Sequence, residues 1–239
     1  MTRLAPVQRG SQIRELTRGL QLPLADLSNI HLTAIIENLV IVWGQLIQRH
    51  GEELLRCSEE ELNSYLVIGM NYRREADGIF SQIVSAVGRQ DAALSYDGRH
   101  IEKRPDIAIF LTNRNTNFPL SIECKIIDRG DGKTIALYCS NGIRRFVDGE
   151  YAWALRQGVM LAYVRDSSSV ELDLTPHLEA LAADPPDVLR TEGAPMRRRG
   201  SNPPVFVSRH TRLFRYLEAV ENEDPGPIGI WHVWLDLHA

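Results

Sequence analysis

The sequence predicts an α/β fold: a mixed central sheet flanked by helices, with a helical N-terminal extension. Three observations carry this expectation. Apolar residues recur at helical spacing between residues 26 and 70. From residue 92 the texture changes to short strand-like runs broken by Gly, Asn and Asp. Val159 to Val164 is an unbroken apolar run, the pattern of a strand buried on both faces.

The elements follow in order. Residues 11–20 read as a short helix. Residues 26–50 read as a longer one, with Ile30, Ala34, Leu39, Val42, Leu46 and Ile47 on a broad apolar face and Gly51 at its end. Ser58 to Glu61 has the S-x-x-E form of a capping box, so a third helix starts there. Residues 73–90 fit helix or strand. Ala92 to Glu102 reads as a hairpin turning at Asp97-Gly98. Pro105 to Leu111 and Phe118 to Ile127 read as paired strands joined by the polar turn Asn113–Asn117. Residues 133–157 read as largely helical with a break near Gly149, and 173–183 as a further helix. Residues 184–204, rich in Pro, Gly and Arg, read as a mobile loop, and Val205–Ser208 and Ile228–Leu237 as two final strands. This divides the chain into a helical extension over residues 1–57 and a larger domain over 58–239.

Bulk properties narrow the functional classes. The chain has 239 residues, 44% hydrophobic and 24% charged, which suits a folded globular domain. Its net charge of -4 argues against a non-specific nucleic-acid coat protein, so any nucleic-acid contact must be local, through clustered arginines. The three cysteines form no zinc-type spacing and suit reduced thiols in the cytoplasm. The apolar stretch Leu32–Ile47 is interrupted by Glu37, Asn38 and Gln45 and falls short of the ~20 residues a membrane span needs, so it is expected to be a buried helix.

The chemistry concentrates in Pro105-Asp106, followed after a hairpin by Glu123-Cys124-Lys125. Side chains alternate along a strand, so Glu123 and Lys125 share a face and Cys124 points away. Asp106 opens the adjacent strand. Two carboxylates and one ammonium are thus expected on one patch. Neighbouring carboxylates repel, and a hard cation such as Mg²⁺ or Mn²⁺ relieves this, with the Cys124 carbonyl as a further ligand. Lys125 would orient water or stabilise charge developing on phosphorus. The alternative for the same residues is a surface hairpin with Glu123 and Lys125 on a solvated face.

Pro105, Asp106, Glu123 and Lys125 resemble the signature of the PD-(D/E)XK nucleases, the restriction-endonuclease-like superfamily. The resemblance covers about 20 residues by motif and extends by element order to roughly residues 58–165. It implies a restriction-endonuclease-like core, catalysis by Asp106, Glu123 and Lys125, and one more metal-side glutamate from the first helix. Glu61 is the first candidate and Glu60 the second. It also implies that the helix after the active strand approaches substrate, which nominates Arg144 and Arg145.

A further basic cluster lies at Arg197-Arg198-Arg199 and Ser208-Arg209-His210-Thr211-Arg212. Arg209 and His210 are candidate substrate contacts, and the triple arginine is a natural phosphate clamp. With Gly142–Tyr151 and Trp231–Leu235, this cluster resembles bacterial members of the superfamily found among mobile-element and phage-defence genes. No Walker A motif, dinucleotide fingerprint, nucleophile elbow or zinc helix competes. The expectation is a cytoplasmic Mg²⁺-dependent endonuclease acting on double-stranded DNA, with RNA equally open to the same chemistry, as an anti-phage effector. The helical extension is expected to dock a second copy or an accessory ATPase. The rival expectation is a catalytically inactive nuclease-fold module that binds nucleic acid or a partner protein.

Overall fold

The computed structural model describes residues 9–89, 95–96, 104–198, 201, 203–216 and 224–238. The hairpin expected over Ala92–Glu102 and the third arginine of the Arg197–Arg199 run lie almost wholly outside them.

Helix α1 (Arg9–Leu16) is followed by α2 (Asn29–Leu54), α3 (Glu59–Ala76) and α4 (Gly78–Ile83). Each start has a local cause. Ser28 accepts from the His31 amide ahead of α2, and Asp77 accepts from the Ile79 and Phe80 amides ahead of α4. The capping box ahead of α3 is complete, with Ser58 and Glu61 satisfying each other's backbone.

The stretch that reads ambiguously resolves into α4 and then β1 (Val84–Gly88). Strands β2 (Ile107–Leu111) and β3 (Leu120–Ile127) follow. Helix α5 (Ile135–Tyr138) runs through a π-helical segment, Cys139–Ile143, into α6 (Arg144–Val147). Strand β4 (Gln157–Val164), helix α7 (Thr175–Ala183) and strands β5 (Met196–Arg197), β6 (Val205–His210) and β7 (Ile228–Asp236) complete the chain.

The seven strands form one mixed sheet in the order β1-β2-β3-β4-β7-β6-β5. Its centre, β3-β4-β7, is parallel; both wings are antiparallel. Both faces are covered, which explains why β3, β4 and β7 read as near-continuous apolar runs. On one face Ile122, Cys124, Leu161, Tyr163 and Val233 pack in a single core with α2 and α3. On the other, Met160, Ala162, Ile230 and Trp234 pack against Tyr138, Phe146 and Leu178 from α5, α6 and α7.

Helix α2 is long and apolar enough by composition to cross a membrane. Here its inner face, including Leu32, Ile35, Leu39 and Val42, is buried in the sheet core. Residues 29–54 therefore form one layer of the main core. Gly69 makes the α2–α3 packing close: a β-carbon there would stand 2.5 Å from a Val42 methyl. The outer side still exposes Ile30 and Ile41 on α2 and Ile68 and Tyr72 on α3.

Candidate active site

The site forms where β2 and β3 part. Their last paired residues are Ile107 and Ile122. Beyond that point β3 continues to Ile127, held by β4 on one side only. Its amides on the open side still need acceptors. Asp106 takes the first, with Oδ2 2.8 Å from the Cys124 nitrogen. Glu59, the first residue of α3, takes the next, with Oε2 3.1 Å from the Ile126 nitrogen. Two carboxylates thus stand in for the missing strand.

Strand alternation sends Glu123 and Lys125 to the opposite face from Cys124, beside Met160 and Ala162. The Lys125 ammonium lies 2.9 Å from Glu123 Oε1, 3.2 Å from Glu59 Oε1 and 3.9 Å from Asp106 Oδ2, and donates to the Cys124 carbonyl at 2.6 Å. These groups do not sit on a solvated face: Glu123 is 1% exposed. The surface-hairpin alternative therefore fails.

Arg145 reaches the same carboxylate, with Nη1 3.3 Å from Glu123 Oε1. It also donates to the Tyr151 hydroxyl, which donates to the Arg104 carbonyl. Gly142 lets the π-helical segment settle onto this floor. A β-carbon there would stand 2.3 Å from the Met160 methyl and 3.9 Å from Glu123 Cγ.

The electrostatics follow from burial. Desolvation, then repulsion from Asp106, push the Glu123 carboxyl up to about 8, although Lys125 and Arg145 oppose this. Burial depresses the Lys125 ammonium, but the carboxylates of Glu123, Glu59 and Asp106 outweigh it and hold its pKa above the usual value. With every group ionised, the five described residues Glu59, Asp106, Glu123, Lys125 and Arg145 sum to a net charge of -1.

Glu123 Oε2 is buried with no hydrogen-bond partner among the described residues. A buried carboxylate oxygen left in that condition is costly unless a cation or proton meets it. Oxygens from Asp106, Glu123 and the Cys124 carbonyl form a hard donor set suited to Mg²⁺ or Mn²⁺. Among the described residues no three His, Cys, Asp or Glu side chains form a ready-made metal cage.

The other nominated residues distribute differently. Glu61 is not at the notch: its carboxylate is occupied by the Ser58 backbone amide and hydroxyl, at 2.6 and 2.8 Å. Glu60 is likewise absent from the contacts around Lys125. The helix contributes Glu59 instead, because the position that closes the capping box cannot also reach β3. Arg144 pairs with Asp148 at 3.0 Å, away from Glu123. Arg209 lies on β6, three strands from β3, and pairs with Glu192 at 2.7 Å.

His210 is fully buried and cannot meet a phosphate. It belongs to an internal hydrogen-bond chain with one consistent direction. The Leu189 carbonyl can only accept, so His210 Nδ1 donates to it at 2.9 Å. Ser208 then donates to His210 Nε2, and His232 Nε2 donates to Ser208, both at 2.7 Å. Tyr138 donates to His232 Nδ1 at 2.8 Å, and the Trp234 indole donates to Tyr138 at 3.2 Å.

Comparison with family models, curated proteins and solved structures gives no match to this chain.

Proposed function

We propose that the chain is a Mg²⁺-dependent nuclease of PD-(D/E)XK type that hydrolyses phosphodiester bonds of double-stranded DNA. The observation that carries this reading is the meeting of Asp106, Glu123 and Lys125 where β2 and β3 part, with one buried oxygen of Glu123 unpartnered. Asp106, Glu123 and the Cys124 carbonyl would hold the ion. Mg²⁺ bound there would polarise the scissile phosphate and lower the pKa of the attacking water.

The chain's own residues supply the rest. Lys125 orients that water and counters charge building on the phosphate. Arg145 offers a second cation to a non-bridging oxygen, held in place by Tyr151. Glu59 is a positioning residue: it grips the Lys125 ammonium and the Ile126 amide together. An anti-phage role with a partner subunit extends this proposal. The exposed Ile41, Ile68 and Tyr72 on the outer side of α2 and α3 offer a surface for that partner.

The test is cleavage of plasmid DNA and of RNA with Mg²⁺ or Mn²⁺ by the wild type, Asp106→Ala and Lys125→Ala. Cleavage by the wild type alone is expected, and the preferred polymer identifies the substrate. Equal cleavage by all three proteins would reject the site. Tight DNA binding without cleavage by the wild type would favour the inactive binding module.

A further inference from the structure

Lys125 places a cation among the very oxygens assigned to the metal. Its ammonium has three N–H donors. All three are engaged: by Glu123 Oε1 at 2.9 Å, by Glu59 Oε1 at 3.2 Å and by the Cys124 carbonyl at 2.6 Å. Asp106 Oδ2 lies 3.9 Å away. Lys125 thus meets Asp106, Glu123 and the Cys124 carbonyl together, and its shortest contact is with the carbonyl.

These contacts conflict with the work proposed for the same side chain. A lysine with every donor engaged internally has none left for an attacking water or a phosphate oxygen. A divalent cation drawn to the Cys124 carbonyl would also stand beside the ammonium, and two cations sharing one oxygen repel. The lysine side chain is only 17% exposed, so solvent screens that repulsion little. Lys125 therefore has to yield the carbonyl before the site can both bind and act.

The notch also holds a second station for the lysine. Glu59 is the most exposed of the three carboxylates, 32% against 26% for Asp106 and 2% for Glu123, so a move toward it is a move outward. Its other oxygen is fastened to the Ile126 amide at 3.1 Å, which keeps the carboxylate in place. Glu123 Oε1 keeps a cation when the lysine withdraws, because Arg145 lies 3.3 Å from it and is itself held by Tyr151. Glu123 Oε2 has no partner to give up among the described residues.

We infer that Lys125 is an internal competitor for the metal: its ammonium takes the cation's place, and on metal entry it leaves Glu123 and the Cys124 carbonyl, stays tethered to Glu59, and turns its freed N–H groups to substrate. That the exchanging cation is a divalent metal rests on the nuclease reading; the hold of Lys125 on these oxygens does not. In this role the exchange ties the two requirements of the reaction together. The lysine becomes a free donor only when the ion is in place.

The test is Mn²⁺ binding by calorimetry without nucleic acid, on the wild type, Lys125→Met, Glu59→Gln and the double variant, with thermal melts to check folding. Met removes the ammonium at similar length, and Gln leaves an oxygen for the Ile126 amide. Lys125→Met is expected to bind Mn²⁺ about tenfold more tightly, and Glu59→Gln about tenfold more weakly. The Glu59 effect is expected to vanish in the Lys125→Met background, because Glu59 acts on the ion only through the lysine. Equal weakening in both backgrounds would reduce Glu59 to a nearby charge and overturn the proposal. A second measurement uses the wild type alone, so no folding defect can confuse it. The chain has three lysines, so nitrogen NMR resolves each ammonium. The Lys125 ammonium is expected to exchange slowly with water and give a sharp signal, which diamagnetic Mg²⁺ broadens by freeing its protons, with Lys133 as the reference. A Lys125 signal equally sharp at saturating Mg²⁺ would overturn the exchange, even in a protein that cleaves DNA. Exchange with no cleavage of DNA or RNA would keep the proposal and reject the nuclease reading. No Mn²⁺ binding by any of the four proteins would overturn both.

Discussion

Asp106 Oδ2 accepts the backbone amide of Cys124 at 2.8 Å, so an acid lying just outside one strand continues the hydrogen-bond ladder of the next. This bond fixes the carboxylate at the mouth of the notch. Asp106→Ala removes both the acceptor and the charge, whereas Asp106→Asn keeps an oxygen for the amide. We expect both variants to lose cleavage, and Asn to retain more thermal stability than Ala. Equal melting temperatures would show that the bond contributes nothing to the fold.

Glu59 and Glu61 separate function from folding within one helical turn. Glu59→Gln is expected to lower cleavage at least about tenfold, because Lys125 loses a charged partner. Glu61→Ala breaks only the capping box and is expected to lower the melting temperature slightly while cleavage persists. Side-by-side melts and kinetics decide it, and the reverse pattern would return the catalytic role to Glu61.

Glu123 gives a pH signature. A free glutamate ionises near 4.5 and this one at about 8, so the folded state keeps its proton longer than the unfolded chain. The contribution to stability is complete below pH 4.5. It falls as pH rises toward 8, by up to about 1.4 kcal/mol per unit. In EDTA, Glu123→Gln should abolish this fall. Mg²⁺ should stabilise the wild type more at pH 8 than at pH 5. Parallel stability curves for the two proteins would count against a protonated Glu123.

His210 and His232 act in the other direction. Burial lowers His210 to about 4 and His232 to about 3. Below pH 6.5 the unfolded chain takes up two protons that the fold refuses. Stability is therefore full above 6.5 and declines as pH drops toward 4 and then 3. NMR titration should show neither ring charging above pH 5 in the folded protein. A normal titration near 6.5 would mean the internal chain is open to water.

Arg212 is 3% exposed, and its guanidinium donates to the carbonyls of Gly226, Ala152, Leu155 and Pro225. Removing it leaves several buried acceptors without donors. Arg212→Ala is expected to destabilise by roughly 3 kcal/mol or more, measured by urea unfolding. Arg212→Lys should recover only part, since one ammonium cannot span four acceptors. A loss below about 1 kcal/mol would mean that water satisfies these carbonyls.

Much of this was legible in the sequence. Glu123 and Lys125 could be placed together because strand alternation decides which residues share a face, and Asp106 because the hairpin returns the chain to the same end of the sheet. Glu59 was not legible. The S-x-x-E pattern draws attention to Glu61, while the residue left over at the first helical position is the one aimed at β3. Arg144 and Arg145 could not be ranked either. Consecutive helical residues point about 100° apart, and only packing decides which one meets Glu123. His210 stands beside arginines in sequence, yet strand alternation sends it inward and Arg209 outward. The apolar face of α2 showed that the helix was covered, but not by what.

The wide turn at Cys139–Ile143 sets a phase between two halves of one continuous helical path. Before it, Tyr138 looks toward His232; after it, Arg145 looks toward Glu123. Deleting a single residue there would swing everything downstream by about 100°. Arg145 would leave the carboxylate, and Phe146 and Val147 would leave the core. Length, and not only composition, is therefore constrained in this segment: away from Gly142, which has no room for a β-carbon, conservative point changes should be tolerated where any one-residue insertion or deletion is not.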